Sequence, residues 1–329
     1  MAEVFNNGYA LLIGVGESAY KPLSLPVTVK DTEAIYAALV DPELCAYPDN
    51  KEHIKVLNNA EAKQSNILDG LEWLKEKAEL DSKATIFIYY SGHGWVDNNS
   101  DRYYLIQHDV KPAKLAASAL SAETFTDALR QIKAERLLVV IDSCHAAGMA
   151  TSKDAKAIAK ADEELFEEFD DFKRVAPSKG LIEKLKEGKG RVVFTSSKGE
   201  EQSYIKDNSI SVYTYHFLEA LQGAANQPGD RAVLVSNLMN HLGKTVPATV
   251  RNLYNKEQNP NFDMDNTDDF AIAQLRGGKG LPEKGWNAVK PEATQKINKI
   301  ADVINQHGKY ITNINEARDI HIGDVINRN

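Results

Sequence analysis

The chain has 329 residues, 43% of them hydrophobic and 26% charged, with a formal net charge of -8. That composition fits one large folded domain with an appendage and excludes wholesale disorder. An acidic chain without a basic stripe also excludes a nucleic-acid binder and favours cationic partners, including peptides that carry Lys or Arg.

Cys45 and Cys144 are the only two cysteines, too few for a disulfide scaffold, so a reducing compartment is expected. Residues 1–7 lack the basic start and apolar run of a signal peptide, and no apolar stretch approaches bilayer length. The expectation is a soluble, cytoplasmic protein with no membrane partner.

In chain order, residues 9–15 (YALLIGV) form an almost wholly apolar run, as in a strand buried on both faces. Residues 31–39 have helical spacing at Ala34, Ile35, Ala38 and Leu39, and residues 54–57 read as a second strand. Residues 65–80 form an amphipathic helix on Ile67, Leu68, Leu71, Leu74 and Ala78. A third buried strand, 85–90 (TIFIYY), ends at Ser91-Gly92-His93-Gly94. After a helix over 124–132, a fourth strand, 137–141 (LLVVI), ends at Asp142-Ser143-Cys144. Residues 191–195 (RVVFT) are a fifth strand and 213–222 a helix.

Buried strands alternating with helices predict an α/β fold of three layers around a central, mainly parallel sheet. Functional groups in such sheets gather beyond the carboxyl ends of the strands, where His93 and Cys144 both fall. Residues 1–276 are expected to form this domain. Within it, residues 151–179 are polar and charge-rich and read as a long mobile loop, whose run 163–171 is a solvated face. Residues 277–329 form a small C-terminal extension: a Gly/Pro linker, an amphipathic helix over 291–307 and an isoleucine-studded tail.

A cysteine attacks as its thiolate, which is scarce at neutral pH unless an imidazole accepts the proton. His93 is the candidate base and Cys144 the candidate nucleophile. Gly92 and Gly94 allow close backbone approach to a substrate, and the N–H groups of Gly94 and Cys144 are natural oxyanion donors. His145 adjoins the nucleophile, but neighbouring residues on a tight turn point apart. Cys45 has nothing nearby to lower its pKa and reads as structural. Gly14-Val15-Gly16 is too partial a match for a dinucleotide loop.

The tetrads Ser91-Gly92-His93-Gly94 and Asp142-Ser143-Cys144-His145, the latter followed by Ala146-Ala147-Gly148, resemble the paired signature of caspase-like cysteine peptidases. The resemblance is to the prokaryotic metacaspase, or orthocaspase, branch and covers roughly residues 9–275. It implies a caspase-like domain and hydrolysis of peptide bonds after Arg or Lys by a Cys-His dyad through an acyl-enzyme. It further implies that Asp31 and Asp142 face the cationic side chain, with Thr28 and Ser91 lining the pocket. For Asp31 an N-cap role at the start of its helix competes with that assignment.

Many metacaspases bind calcium after the catalytic histidine. Residues 95–109 offer only Asp97, Asp101 and Asp109, so no metal or cofactor is expected. Self-cleavage near Lys173 or Arg174 is the expected route of activation. A second reading, from another class, is a catalytically silent caspase-like scaffold acting through its tail; a third is a same-clan peptidase of different specificity, such as a separase-like enzyme. In the tail, Ile320-His321-Ile322-Gly323 is similar to the core of amyloid-type signalling motifs and suggests self-association, against a docked edge strand or small hairpin.

Overall fold

The computed structural model describes residues 4–143, 172–174, 176–185, 190–199, 201–207, 209–264 and 268–311. The elements run β1 (Gly8–Gly14), α1 (Val27–Val40), β2 (Ile54–Asn58), α2 (Gln64–Leu80), β3 (Thr85–Asp97) and β4 (Arg102–Ile106). Then follow α3 (Leu115–Ser118), β5 (Leu120–Ser121), α4 (Ala122–Gln131), β6 (Arg136–Ser143), β7 (Phe172–Arg174), α5 (Lys179–Leu185) and β8 (Arg191–Thr195). The chain continues through β9 (Ile205–Lys206), β10 (Ile210–Ser211), α6 (Val212–Leu221), β11 (Ala232–Leu234), α7 (Val235–Tyr254), β12 (Asn261–Asp263), β13 (Ala271–Gln274) and α8 (Trp286–Ile311).

The main sheet has the order β12-β8-β6-β3-β1-β2. Its four inner pairings from β8 to β2 are parallel, and along this order β12 joins antiparallel at the edge. Alternation along each strand sorts the apolar side chains between two cores. Phe87, Tyr89, Leu138 and Val140 face the layer of α1, α6, α7 and α8, while Ile86, Ile88, Tyr90, Val139 and Ile141 face α2 and α4. The expected three-layer α/β architecture with a mainly parallel sheet is the one observed.

The expected strands are all present, but β3 does not stop at Tyr90. It runs on through Ser91-Gly92-His93-Gly94 to Asp97, where its extension pairs antiparallel with β4 on one side and β7 on the other. The glycines that suggest a strand end instead make room for tyrosines. A Cβ on Gly92 would lie 2.5 Å from the Tyr90 hydroxyl, and one on Gly94 would overlap the Tyr103 hydroxyl. Their absence of side chain serves packing inside the protein.

Helix α7, twenty residues long, has no counterpart in the expected elements. Gly243 and Pro247 inside it are poor helix formers, yet Leu238, Leu242, Val246 and Val250 recur on one face and are fully buried. Tertiary packing overrides the local preference.

Two expectations about the second half are corrected. Residues 172–174 form β7, with Val96 opposite Lys173 and Trp95 opposite Arg174, so this end of the expected loop is paired strand. Residues 144–171, including the first part of that loop and its charge run, lie outside the described residues. The Gly277 linker, too, is docked: its N–H donates to Leu44 O, and its positive φ of 62° sets it against the Pro42 carbonyl. Helix α8 starts a turn before Pro291, and its Val289, Ile297 and Ile304 join the same core as α1 and α6. The extension thus shares the core of the main domain. The tail from residue 312, with its Ile320-His321-Ile322-Gly323 stretch, lies outside the described residues.

Candidate active site

The register of the central strands assembles the site. β3 and β6 run in parallel, with Ser91 opposite Asp142 and Gly92 opposite Ser143, while Gly14 at the end of β1 lies opposite Ser91. Ser91 and His93 stand two residues apart on one strand and so share a face, the face covered by α1 and α6. His93 is 3% exposed, so it is packed among neighbours despite the glycines on either side of it. Cys144 and His145 lie outside the described residues. Ser143, the residue that precedes the cysteine, is the last described residue of β6.

Three contacts fix Ser143 and its surroundings. The Tyr103 hydroxyl lies 2.9 Å from Ser143 Oγ, and Ser196 Oγ donates to Ser143 O at 3.4 Å. Ser196 N–H donates to Ile141 O, which ties the end of β8 to the end of β6. The Tyr90 hydroxyl, beneath Gly92, lies 2.9 Å from His93 O and 3.0 Å from Ile106 O, so it holds the backbone that presents His93. The Thr195-Ser196-Ser197 stretch is clamped in turn by Gln258, whose Nε2 donates to Ser196 O and Ser203 Oγ.

Asp31 and Asp142 are both fully buried and form one hydrogen-bonded web. Ser91 Oγ donates to Asp31 Oδ2 at 3.1 Å, and Ser211 N–H donates to Asp31 Oδ1 at 2.8 Å. Ser211 Oγ donates to Asp142 Oδ2 at 2.8 Å, so one serine ties the two carboxylates together. The Tyr89 hydroxyl is 3.3 Å from Asp142 Oδ2 and 2.7 Å from Thr214 Oγ1. Burial, and then the charges of Asp142 and Asp31, push the Tyr89 hydroxyl well above its usual pKa, so it stays a neutral donor.

Of the expected pocket residues, Asp31, Ser91 and Asp142 are therefore brought together. Thr28 is buried one turn before Asp31, but its hydroxyl donates to Leu25 O. The N-cap alternative for Asp31 is corrected: α1 begins at Val27 after Pro26, which places Asp31 inside the helix. Gly94 lies opposite Leu105 on the β3 extension, and a Cβ there would also sit 3.1 Å from Ser143 Cβ. Cys45 is fully buried, and burial pushes its thiol far up, as befits a structural residue.

Ser211 and Thr214 are the residues that sequence reasoning missed. Ser211 is the N-cap of α6, accepting from Thr214 N–H at 2.9 Å while it donates to Asp142. A serine three residues before a threonine at a helix start signals a cap, and nothing local signals the second duty.

A family model described as the caspase domain matches residues 7–271, which takes in both tetrads, the carboxylate web and the clamp on β8. The chain belongs to the caspase-domain family. A second model, effector-associated domain 10, matches residues 291–329 and so begins within α8. Among solved structures, the crystal structure of caspase-1 from Spodoptera frugiperda is similar, with a TM-score of 0.48 and 12% identity over 85% of this chain and 93% of that one. No curated protein matches the chain. Among the described residues no helix is long and apolar enough to cross a membrane.

Proposed function

We propose that this caspase-family chain is a cysteine endopeptidase of metacaspase type that hydrolyses peptide bonds after Arg or Lys. The observation that carries this reading is the pair of buried carboxylates, Asp31 and Asp142, tied together by Ser211 on the face that His93 shares. A guanidinium fork or an ammonium supplies the charge that such a pair favours, whereas an acidic side chain would add a third negative charge to a desolvated site.

In the proposed reaction His93 takes the proton of the Cys144 thiol, and the sulfur attacks the scissile carbonyl carbon. Backbone N–H groups of Gly94 and Cys144 receive the oxyanion. The carbon–nitrogen bond then breaks as the imidazolium protonates the departing amine, leaving a thioester on Cys144. Water, deprotonated by His93, hydrolyses that thioester and restores the thiol. No cofactor enters these steps. Thr28 contributes to the pocket through the α1 backbone that it fixes. Self-cleavage after Lys173 or Arg174 requires β7 to leave β3 first, because a paired strand cannot enter a protease cleft. The effector-associated region at 291–329 serves recruitment by protein contact, including self-association through residues 312–329.

The test is a set of fluorogenic peptides with Arg, Lys or Asp at the cleavage position, offered to the wild type, Cys144→Ala and His93→Ala. Arg and Lys substrates should be cut and the Asp substrate spared. Each variant should lose activity by about 10⁴-fold or more, and the double variant should be no worse than either single one. Preferred cleavage after Asp, or substantial hydrolysis by a folded Cys144→Ala, sinks the assignment.

A further inference from the structure

Away from the carboxylate web, the α6–α7 interface holds a second cluster of ionisable groups. His216 and Glu219 lie one turn apart on α6, and His241 faces them from α7. Glu219 Oε2 is 2.6 Å from His216 Nδ1 and 3.0 Å from His241 Nε2. The imidazole rings stand 5.7 Å apart at 67° to each other. Both α6 residues are under 10% exposed and His241 is only slightly more open.

The charge balance of this cluster is unusual for an interior. Among the described residues no lysine or arginine pairs with Glu219; its only ion-pairing partners are the two imidazoles. Desolvation alone raises the Glu219 pKa, yet hydrogen bonds from His216 and His241 override it and hold the carboxyl down at about 2. Desolvation meanwhile lowers His216. Two imidazoles and one carboxylate thus converge on one point of the α6–α7 interface.

We propose that His216, Glu219 and His241 bind one divalent zinc-class ion that clamps α6 to α7. Two imidazoles with one carboxylate are a donor set for zinc, cobalt or nickel, and a poor one for calcium or magnesium, which take oxygen. One ligand atom from each residue lies within 4.8 Å of the other two. Zinc bonds of about 2.0–2.1 Å hold tetrahedral ligand atoms roughly 3.3 Å apart, so the two carboxylate contacts, now 2.6 and 3.0 Å, need to open by less than about 1 Å. His and Glu at i and i+3 present their side chains to one side of a helix, the spacing used by metal-binding bundles.

Thr249 supplies the outer partner that a metal-bound histidine needs. Its Oγ1 lies 2.7 Å from His216 Nε2. With Nδ1 protonated, the hydroxyl donates to Nε2. With the ion on Nδ1, the proton sits on Nε2 and the same hydroxyl accepts it. No rearrangement is required to move between the two states. No local motif marks this site, because His241 lies 22 residues from Glu219 on another helix.

The test uses full-length protein carrying Cys144→Ala, so that the thiol–imidazole pair of the proposed active site does not itself capture metal. The protein is loaded with Zn²⁺, dialysed against metal-free buffer and assayed for zinc by mass spectrometry. One zinc per chain should remain, and the thermal midpoint should rise with Zn²⁺ and fall with a chelator. Adding His241→Gln should reduce retained zinc at least tenfold and abolish the thermal response. Equal retention in the His241→Gln chain, or no retention in either, overturns the proposal. If His241→Gln does not fold, zinc X-ray absorption on the Cys144→Ala chain decides. Two imidazole nitrogens with oxygen at about 2.0–2.1 Å support the site, and a shell containing sulfur or a single imidazole overturns it.

Discussion

At the start of α6 the carboxylates of Asp31 and Asp142 are solvated by hydroxyls and a backbone amide; two turns along the same helix, Glu219 is solvated by imidazoles. Both clusters bury negative charge, and the donors differ in what they can become. The hydroxyls of Ser91, Ser211 and Tyr89 keep their protons at any ordinary pH, so they hold the two carboxylates in place by hydrogen bonds alone. In the proposed function this is where the cationic side chain of the substrate would bind. Imidazoles can take a proton or a metal ion in place, so the Glu219 cluster can be completed from within. On the two proposals above, helix α6 carries a site for a substrate cation at one end and a site for a bound ion further along.

The sharpest way to break this comparison is to neutralise the visiting site. Asp142→Asn keeps the shape of the web and removes one of its two charges. Removing one partner of a desolvated charge pair costs about 2–5 kcal/mol, which predicts a fall in kcat/KM for Arg peptides of roughly 30- to 5,000-fold. Asp31→Asn should do the same, since both carboxylates share Ser211. Zinc retention in the Asp142→Asn chain should match that of the parent. Arg cleavage at the parental rate in both Asn variants would remove the carboxylates from substrate recognition.

Ser211 sharpens the comparison because it is both the cap of α6 and the bridge of the web. Ser211→Ala removes the cap, worth about 0.5–2 kcal/mol, and takes from Asp142 its 2.8 Å hydroxyl donor, worth about 1–3 kcal/mol. Its backbone N–H to Asp31 survives. The expected outcome is a drop in unfolding free energy within those ranges and a weaker Arg preference. Ser211→Thr, which retains the hydroxyl, should recover most of both. Equal losses in the Ala and Thr variants would show that shape alone matters at this position. Denaturant titration and peptide kinetics on the three chains make the distinction.

The sequence makes one of these regions legible and hides the other for physical reasons. Buried parallel strands appear as apolar runs, so β1, β3, β6 and β8 are readable within a few residues, and with them the placing of Ser91 and Gly92 beside Asp142 and Ser143. The antiparallel extension of β3 is not, because the side chains that fill the space at Gly92 and Gly94 belong to Tyr90 and Tyr103. Asp31 reads as a cap because helix starts favour aspartate, yet Pro26 sets the start a full turn earlier. Ser211 and His241 act on partners far away in the chain, and no local spacing encodes a contact between helices. Helix α7 hides behind Gly243 and Pro247, whose low propensity is outweighed by its buried face.

The smallest predicted effect tests whether the C-terminal helix reaches the substrate side of α6. Asn305 on α8 accepts from Lys30 Nζ at 2.7 Å and donates to Ser209 Oγ at 3.1 Å. Lys30 adjoins Asp31, and Ser209 lies two residues before Ser211, so one side chain of the effector-associated region grips both strands of chain that hold the web. Asn305→Ala removes two part-buried hydrogen bonds at about 0.5–1.5 kcal/mol each. Much of that loss should fall on the local docking of α8, because Val289, Ile297 and Ile304 still anchor the helix in the core. Hydrogen exchange should therefore quicken in β10 and the first turns of α1, with kcat/KM for Arg peptides reduced less than about fivefold and zinc retention unaltered. Removal of residues 312–329 should leave that exchange pattern as it is, since both bonds come from within the docked helix. Faster exchange confined to α8 itself would mean that Asn305 fastens the helix without bracing the web, and would separate the effector-associated region from substrate recognition.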